Sequence, residues 1–265
     1  MHLPSPARRI LLVATPPATL PLAACVGDAG GPFEDHEEAS DYDPVPADDG
    51  KADALSATFD DRLVIPDDFF VDVDAIDGDG LQQFFETSPY GRRSWLADAK
   101  VGDLRAADAI VAGARAEGIN PLVMVARMQV EQSLVSKSAP PSQKKIDYAF
   151  GCGCPDNRPC NEAYRGLDKQ IQCSAHTLAR WYQGSIDGDA EWVAGRGRRT
   201  LDKIWVVPGN HATASLYAYT PWVLRGSGGN WLVWNVTRKM ERHARALGVL
   251  VEPAVDPATD PTGDQ

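Results

Sequence analysis

Beyond its first 25 residues the sequence has no long apolar run. No later stretch reaches the roughly 20 apolar residues of a bilayer-spanning helix, so membrane attachment is expected only through the N-terminus. The chain also lacks Cys-x-x-Cys knuckles, which argues against a structural zinc site. It has no aromatic-basic RNA motif, zinc-finger spacing or recognition-helix signature, so nucleic acid is not an expected partner. Acids are plentiful in the first third, but without the ordered spacing of an EF-hand loop. No Ser/His/Asp or Cys/His spacing supports a nucleophilic hydrolase, and His176 and His211 read as lone structural histidines. There is no internal repeat, and few segments alternate with period two, which argues against a sheet-based fold. No cofactor or resident metal is expected.

What is present divides into two halves of opposite charge. The formal charge of −11 hides residues 26–79, with 18 acids and 2 bases, and residues 80–250, with 15 acids and 22 bases. All seven Trp, and all Tyr but Tyr42, lie after residue 89. An acidic, aromatic-poor arm followed by a basic, Trp-rich stretch predicts a disordered tether joined to a folded domain. The latter stretch is long enough to bury one core, and its positive charge favours anionic partners. The expected organisation is an acidic tether over 25–60, an extended lead-in with a short strand over 61–79, one domain over 80–250 and a disordered tail over 251–265. A monomer is expected.

Residues 1–24 read as a processing signal. Arg8-Arg9 precedes the apolar Ile10-Leu11-Leu12-Val13-Ala14, and small residues lead up to Cys25. Leu22-Ala23-Ala24-Cys25 matches the bacterial lipobox, with the cut before Cys25. The expectation is an exported protein held in the cell envelope by lipid on Cys25.

From residue 80 onward the hydrophobic period is helical. Leu81, Phe84 and Phe85 mark a short helix, and Leu104, Ala107, Ile110, Val111 and Ala114 another, closed by Gly118. Further helices are predicted over 121–137, 162–182, 210–219 and 230–247. The fold class is therefore mainly α, with helices packed around the one that starts at Pro121.

That central helix carries the candidate catalytic residue. Asn120 suits an N-cap and Pro121 the first helical position. From Leu122 to Val130 only Arg127 and Gln129 are polar, so most of the helix circumference must be buried. Glu131, near its end, is then costly to ionise and its pKa should rise. A carboxyl kept protonated near neutral pH is what glycosidic bond cleavage requires. The expectation has a condition. A Glu131 held in an ion pair by Arg127 or Lys137 would weigh against catalysis and favour a silent binding protein. Asp147, Asp156 and Glu162 are the nearest candidates for a second carboxylate, and none stands out. Tyr217, Tyr219 and Trp222 are candidate sugar platforms, with core packing the equal alternative. Gln132 is a candidate substrate contact, or else it solvates the helix end.

These segments together resemble the lysozyme-like domain of bacterial cell-wall glycosidases. The likeness rests on the run from Gly118-Ile119-Asn120-Pro121 to Glu131-Gln132-Ser133-Leu134. Asp147-Tyr148-Ala149-Phe150-Gly151-Cys152, Tyr164 to Gln170, and Asn210 to Trp222 follow in order. It implies a lysozyme-like helical fold, peptidoglycan glycan strands as substrate, and Glu131 as the acid. The Gly-Leu-Met-Gln stretch of typical soluble lytic transglycosylases is replaced by residues 147–154. A hydrolase needs a second carboxylate. A lytic transglycosylase does not, because the muramic acid 6-hydroxyl attacks and the same Glu takes its proton.

With Cys25 lipidated, Cys152, Cys154, Cys160 and Cys173 remain, an even number in an exported domain. Two disulfides are expected, with Cys152 and Cys154 bonded to Cys160 and Cys173 in either order. Both would fasten the loop after the Glu131 helix.

Overall fold

Asn120 starts the helix around which the rest is assembled. Its Oδ1 accepts the Leu122 N–H at 2.8 Å, and its Nδ2 donates to the Phe69 carbonyl at 2.8 Å. One side chain thus caps the helix and ties it to the N-terminal segment. The computed structural model describes residues 54–155 and 158–251. Eight α-helices carry the described residues: α1 Asp67–Val71, α2 Gly78–Glu86, α3 Ala106–Ala116, α4 Pro121–Gln132, α5 Gln143–Asp147, α6 Leu167–Asp187, α7 His211–Tyr219 and α8 Gly229–Leu247. Two small antiparallel hairpins complete the set. β1 Lys100–Val101 pairs with β2 Leu104–Arg105, and β3 Arg198–Arg199 with β4 Trp205–Val206.

α4 is buried at every position from Pro121 to Gln129, as its apolar composition requires. It packs along α8, while α6 packs along α7 and against α3. α3 and α4 meet at a bend of 115°. Among the described residues no single helix is long and apolar enough to cross a membrane. The mainly helical class and the central buried helix agree with the sequence pattern.

Three boundaries differ from expectation. α4 ends at Gln132 rather than continuing to residue 137, because Ser133 adopts the left-handed conformation (φ 53°, ψ 34°) and its N–H closes on the Gln129 carbonyl at 2.8 Å. The predicted helix over 162–182 is split. A single 3₁₀ turn, Glu162–Tyr164, is followed by Gly166 at φ 110°, and α6 begins only at Leu167.

The third difference is the largest. Residues 54–79 are neither tether nor extended lead-in. Leu55, Phe59, Val64, Ile65, Phe69, Phe70 and Ile76 are all buried in the common core, and α1 replaces the predicted strand. The Ala54 and Leu55 N–H groups donate to the buried Glu241 carboxylate at 2.6 and 3.3 Å. Val64 N donates to Thr213 Oγ1, and Asn210 Nδ2 to the Ile65 carbonyl. The folded unit therefore includes residue 54 onward. The many Asp residues here serve caps and turns and do not form a solvated arm. Asp77 caps α2 through Gly80 N at 2.7 Å, and Asp67 accepts from Ala212 N at the start of α7. The signal at 1–24, Cys25, the tether up to residue 53 and the tail from 252 lie outside the described residues.

Candidate active site

The last turn of α4 delivers Glu131 to the edge of the core. Glu131 Oε1 accepts a hydrogen bond from Nη2 of Arg127, one helical turn earlier. The Glu131 side chain is 21% exposed, and that of Arg127 is 0%. Burial pushes the Glu131 carboxyl above the ordinary carboxylate range, while the Arg127 charge and hydrogen bond pull the other way without cancelling it. The condition that weighed against catalysis is thus met: Arg127 holds Glu131 in an ion pair. It holds one oxygen.

The other oxygen faces the loop after α5. A Cβ placed on Gly151 would come within 3.3 Å of Glu131 Oε2, and Gly151 has φ +67°, so glycine suits this position twice over. The loop is held firmly. Gln170 of α6 accepts the Phe150 and Cys152 N–H groups, each at 3.1 Å, and donates to the Cys152 and Tyr164 carbonyls, each at 2.8 Å. Tyr219 donates its hydroxyl to the Phe150 carbonyl at 2.9 Å. A disulfide joins Cys152 to Cys173 on α6, and another joins Cys154 to Cys160. The fold thereby selects one of the two expected pairings. With all four sulfurs in disulfides, these cysteines hold no zinc.

Beyond Glu131, the chain is clamped from the other side. Trp95 donates its indole N–H to the Leu134 carbonyl and its backbone N–H to the Lys137 carbonyl, at 2.9 and 2.8 Å. Gln129 accepts the Ser136 N–H at 3.0 Å. Glu131 thus lies between two braced loops, next to the strained Ser133.

For Tyr217 and Tyr219 the fold selects core packing, one of the two alternatives that the sequence left open. Tyr217 and Tyr219 are fully buried and offer no open ring face, so neither stands as a sugar platform here. Tyr217 stacks on Trp192 at 4.9 Å, and burial pushes its phenol well above the usual range. Tyr219 lies under the Arg127 guanidinium, 4.3 Å from ring centre to Cζ, with the face of the ring toward the cation. Trp222 and Gln132 are half-buried.

The other carboxylates are occupied. Asp147 accepts from Gln143 at 2.9 Å and from Arg165 at 2.7 Å. The Gln143 hydrogen bond, working against burial and joined by that of Arg165, holds Asp147 below the ordinary range. Glu162 takes a second nitrogen of Arg165 and the Tyr148 hydroxyl, both at 3.2 Å. Asp156 lies outside the described residues. The histidines are less isolated than the sequence suggested. His176 meets Glu117 at 3.1 Å on the surface, and His211 meets the buried Ser185 at 2.9 Å.

Sequence reading missed Gln170 as the loop clamp and Gly151 as the neighbour of Glu131. Nothing in a linear pattern marks either, since both act across long separations. The i, i+4 spacing of Arg127 and Glu131 was visible. No protein-family model matches this chain, and no curated protein or solved structure matches it either.

The Cys152–Cys173 bond makes a separable prediction. Replacing both cysteines by alanine should leave helical circular dichroism in place but lower the melting point, as expected for a loss of roughly 2–4 kcal/mol. If Glu131 acts on a bound substrate, loosening its neighbouring loop should also slow turnover, by up to ~100-fold for a displacement of about 1 Å. Alkylation of the unfolded, unreduced protein should label none of the four cysteines. Labelling of all four would refute the pairing.

Proposed function

We propose that this protein cleaves peptidoglycan glycan strands with Glu131 as a single general acid and base. The observation that carries this reading is a carboxyl at the end of a buried helix, raised by burial and still reached by solvent on one side. The protonated Glu131 gives its proton to the glycosidic oxygen as the bond to the sugar carbon breaks. The muramic acid 6-hydroxyl then bonds to that carbon and passes its proton to Glu131, restoring the acid. No second carboxylate is required, in keeping with the engagement of Asp147 and Glu162 by Arg165. Arg127 has a role in this scheme. Its charge stabilises the carboxylate left after proton transfer, so the acid is stronger than an unpaired buried one would be. The lysozyme-like likeness, export and lipidation at Cys25 belong to the same proposal.

The Arg127–Glu131 pair also favours a second reading, a wall-binding lipoprotein without catalysis. Mass spectrometry of purified glycan strands after incubation separates the two. Anhydro-muramic ends support the one-carboxylate reaction. Reducing muropeptides would show hydrolysis and require a second base. Unchanged strands that nevertheless co-sediment with the protein would establish the silent reading.

A further inference from the structure

Three of the eight large hydrophobic residues exposed among the described residues lie within five positions of one another: Leu201 at 54%, Ile204 at 37% and Trp205 at 61%. They occupy the β3–β4 hairpin and its turn. The hairpin is not a floppy loop. Thr200 N–H and Oγ1 both donate to the Ile204 carbonyl, at 2.9 and 3.1 Å. Leu201 N donates to the Pro221 carbonyl at 2.8 Å, and Asp202 accepts the Leu224 N–H at 2.9 Å. The turn is therefore fastened to the loop before α8, with its apolar side chains still outside.

On the paired strands, Arg199 stands opposite Trp205, and Arg198 opposite the buried Val206. Val206 marks the inward face, so Trp205, Arg199 and Gly197 share the outward one. A Cβ on Gly197 would fall 2.4 Å from the Trp205 ring, so the indole lies directly over this backbone. Arg199 stands opposite it on the paired strand, and Arg196 and Lys203 are exposed in the same hairpin segment. Arg196 and Arg199 donate to the carbonyls of Gly188 and Lys203, at 2.9 and 3.1 Å. None of the three makes an ion pair among the described residues. Arg198 is paired, with Glu191.

We propose that this hairpin docks the domain on an anionic phospholipid surface. Charge and polarity decide between partners. A polysaccharide or a soluble polyanion could use the cations and the indole face, but it leaves Leu201 and Ile204 in water. A lipid interface entered by the hairpin tip, which presents side chains from both faces, uses all of them. Trp favours the headgroup level, aliphatic side chains enter the acyl boundary, and Arg and Lys meet lipid phosphates. The inference does not depend on whether Glu131 cleaves glycan.

The test is co-sedimentation of the full chain carrying Cys25→Ser, so that no lipid anchors it. Vesicles of equal parts phosphatidylglycerol and phosphatidylethanolamine are compared with phosphatidylcholine vesicles, and with purified peptidoglycan. Binding to the anionic vesicles is expected, weakening with added salt. Trp205→Ser and Lys203→Glu should each weaken it roughly tenfold, with the melting curve unchanged for Lys203→Glu and lowered only slightly for Trp205→Ser, whose ring loses its contact with Gly197. Attachment through residues 1–25 would survive both substitutions, so undiminished binding by these variants overturns the proposal. So does equal binding to phosphatidylcholine. Variants that lose peptidoglycan binding instead of vesicle binding would assign the hairpin to the wall polymer and refute the lipid assignment.

Discussion

Glu131→Gln should abolish glycan cleavage. Glutamine keeps the size and polarity of the side chain but can neither donate nor accept the proton at the glycosidic oxygen. Loss of a general acid costs a factor of ~10² to 10⁴ by itself. Wild-type turnover on purified peptidoglycan would end the proposed mechanism. The substitution should not be silent for stability either. Arg127 is fully buried and has no other charged partner among the described residues, with its Nε and Nη1 lacking hydrogen bonds. Where Glu131 is ionised, above its folded-state titration, losing its charge leaves that cation uncompensated. Breaking a fully buried pair costs ~3–5 kcal/mol, and less is expected here because Glu131 is part-exposed and the glutamine that replaces it retains an acceptor oxygen. Thermal melting therefore accompanies the assay, and a folded, inactive variant is the expected result. Arg127→Met combined with Glu131→Gln should recover part of the melting loss without recovering activity.

The same residue sets a pH dependence. Burial raises the folded-state Glu131 pKa above its unfolded value. The protonated form is thus favoured by folding, and this group's contribution to stability is present below the ordinary carboxylate range. It is lost as pH rises through the folded-state titration. Cleavage should fall over that same upper window, because the general acid is then deprotonated. In Glu131→Gln the corresponding step in the pH–stability curve should vanish.

Truncation to a start near residue 79 should prevent folding altogether. Such a chain loses Leu55, Phe59, Val64, Ile65, Phe69, Phe70 and Ile76 from the core. At ~1.5–3 kcal/mol for each large apolar side chain, their burial rivals or exceeds the whole ~5–15 kcal/mol stability of an ordinary domain. It also strips the Asn120 side chain of its Phe69 acceptor and removes the backbone donors that satisfy buried Glu241. An insoluble or unfolded product is expected, and restoring residues 54–78 should rescue a cooperative thermal transition. A soluble, cooperatively melting fragment from residue 79 would show that the N-terminal strap only decorates the domain.

The sequence determined the elements whose signals are local. The Asn120-Pro121 start, the largely apolar run behind it and the periodic spacing in α2 and α3 each follow from neighbours a turn away. So did the buried setting of Glu131, its i, i+4 relation to Arg127 and the two disulfides as a pair. Tertiary structure decided what depends on distant partners. The acids of residues 60–79 look like a solvated arm because sequence shows their charge but not the α2 and α7 backbone groups they cap. Tyr217 and Tyr219 stay undecided between platform and core because sequence shows aromatic rings but not the Trp192 and Arg127 that cover them. The choice of Cys173 for Cys152, the Gln170 clamp and the approach of Gly151 to Glu131 depend on α6 packing across the end of α4. Such contacts join residues 18 to 69 positions apart, as in Gln170–Cys152 and Tyr219–Phe150. Their energy comes from desolvation and shared hydrogen bonds at one place in space, which no spacing along the chain encodes.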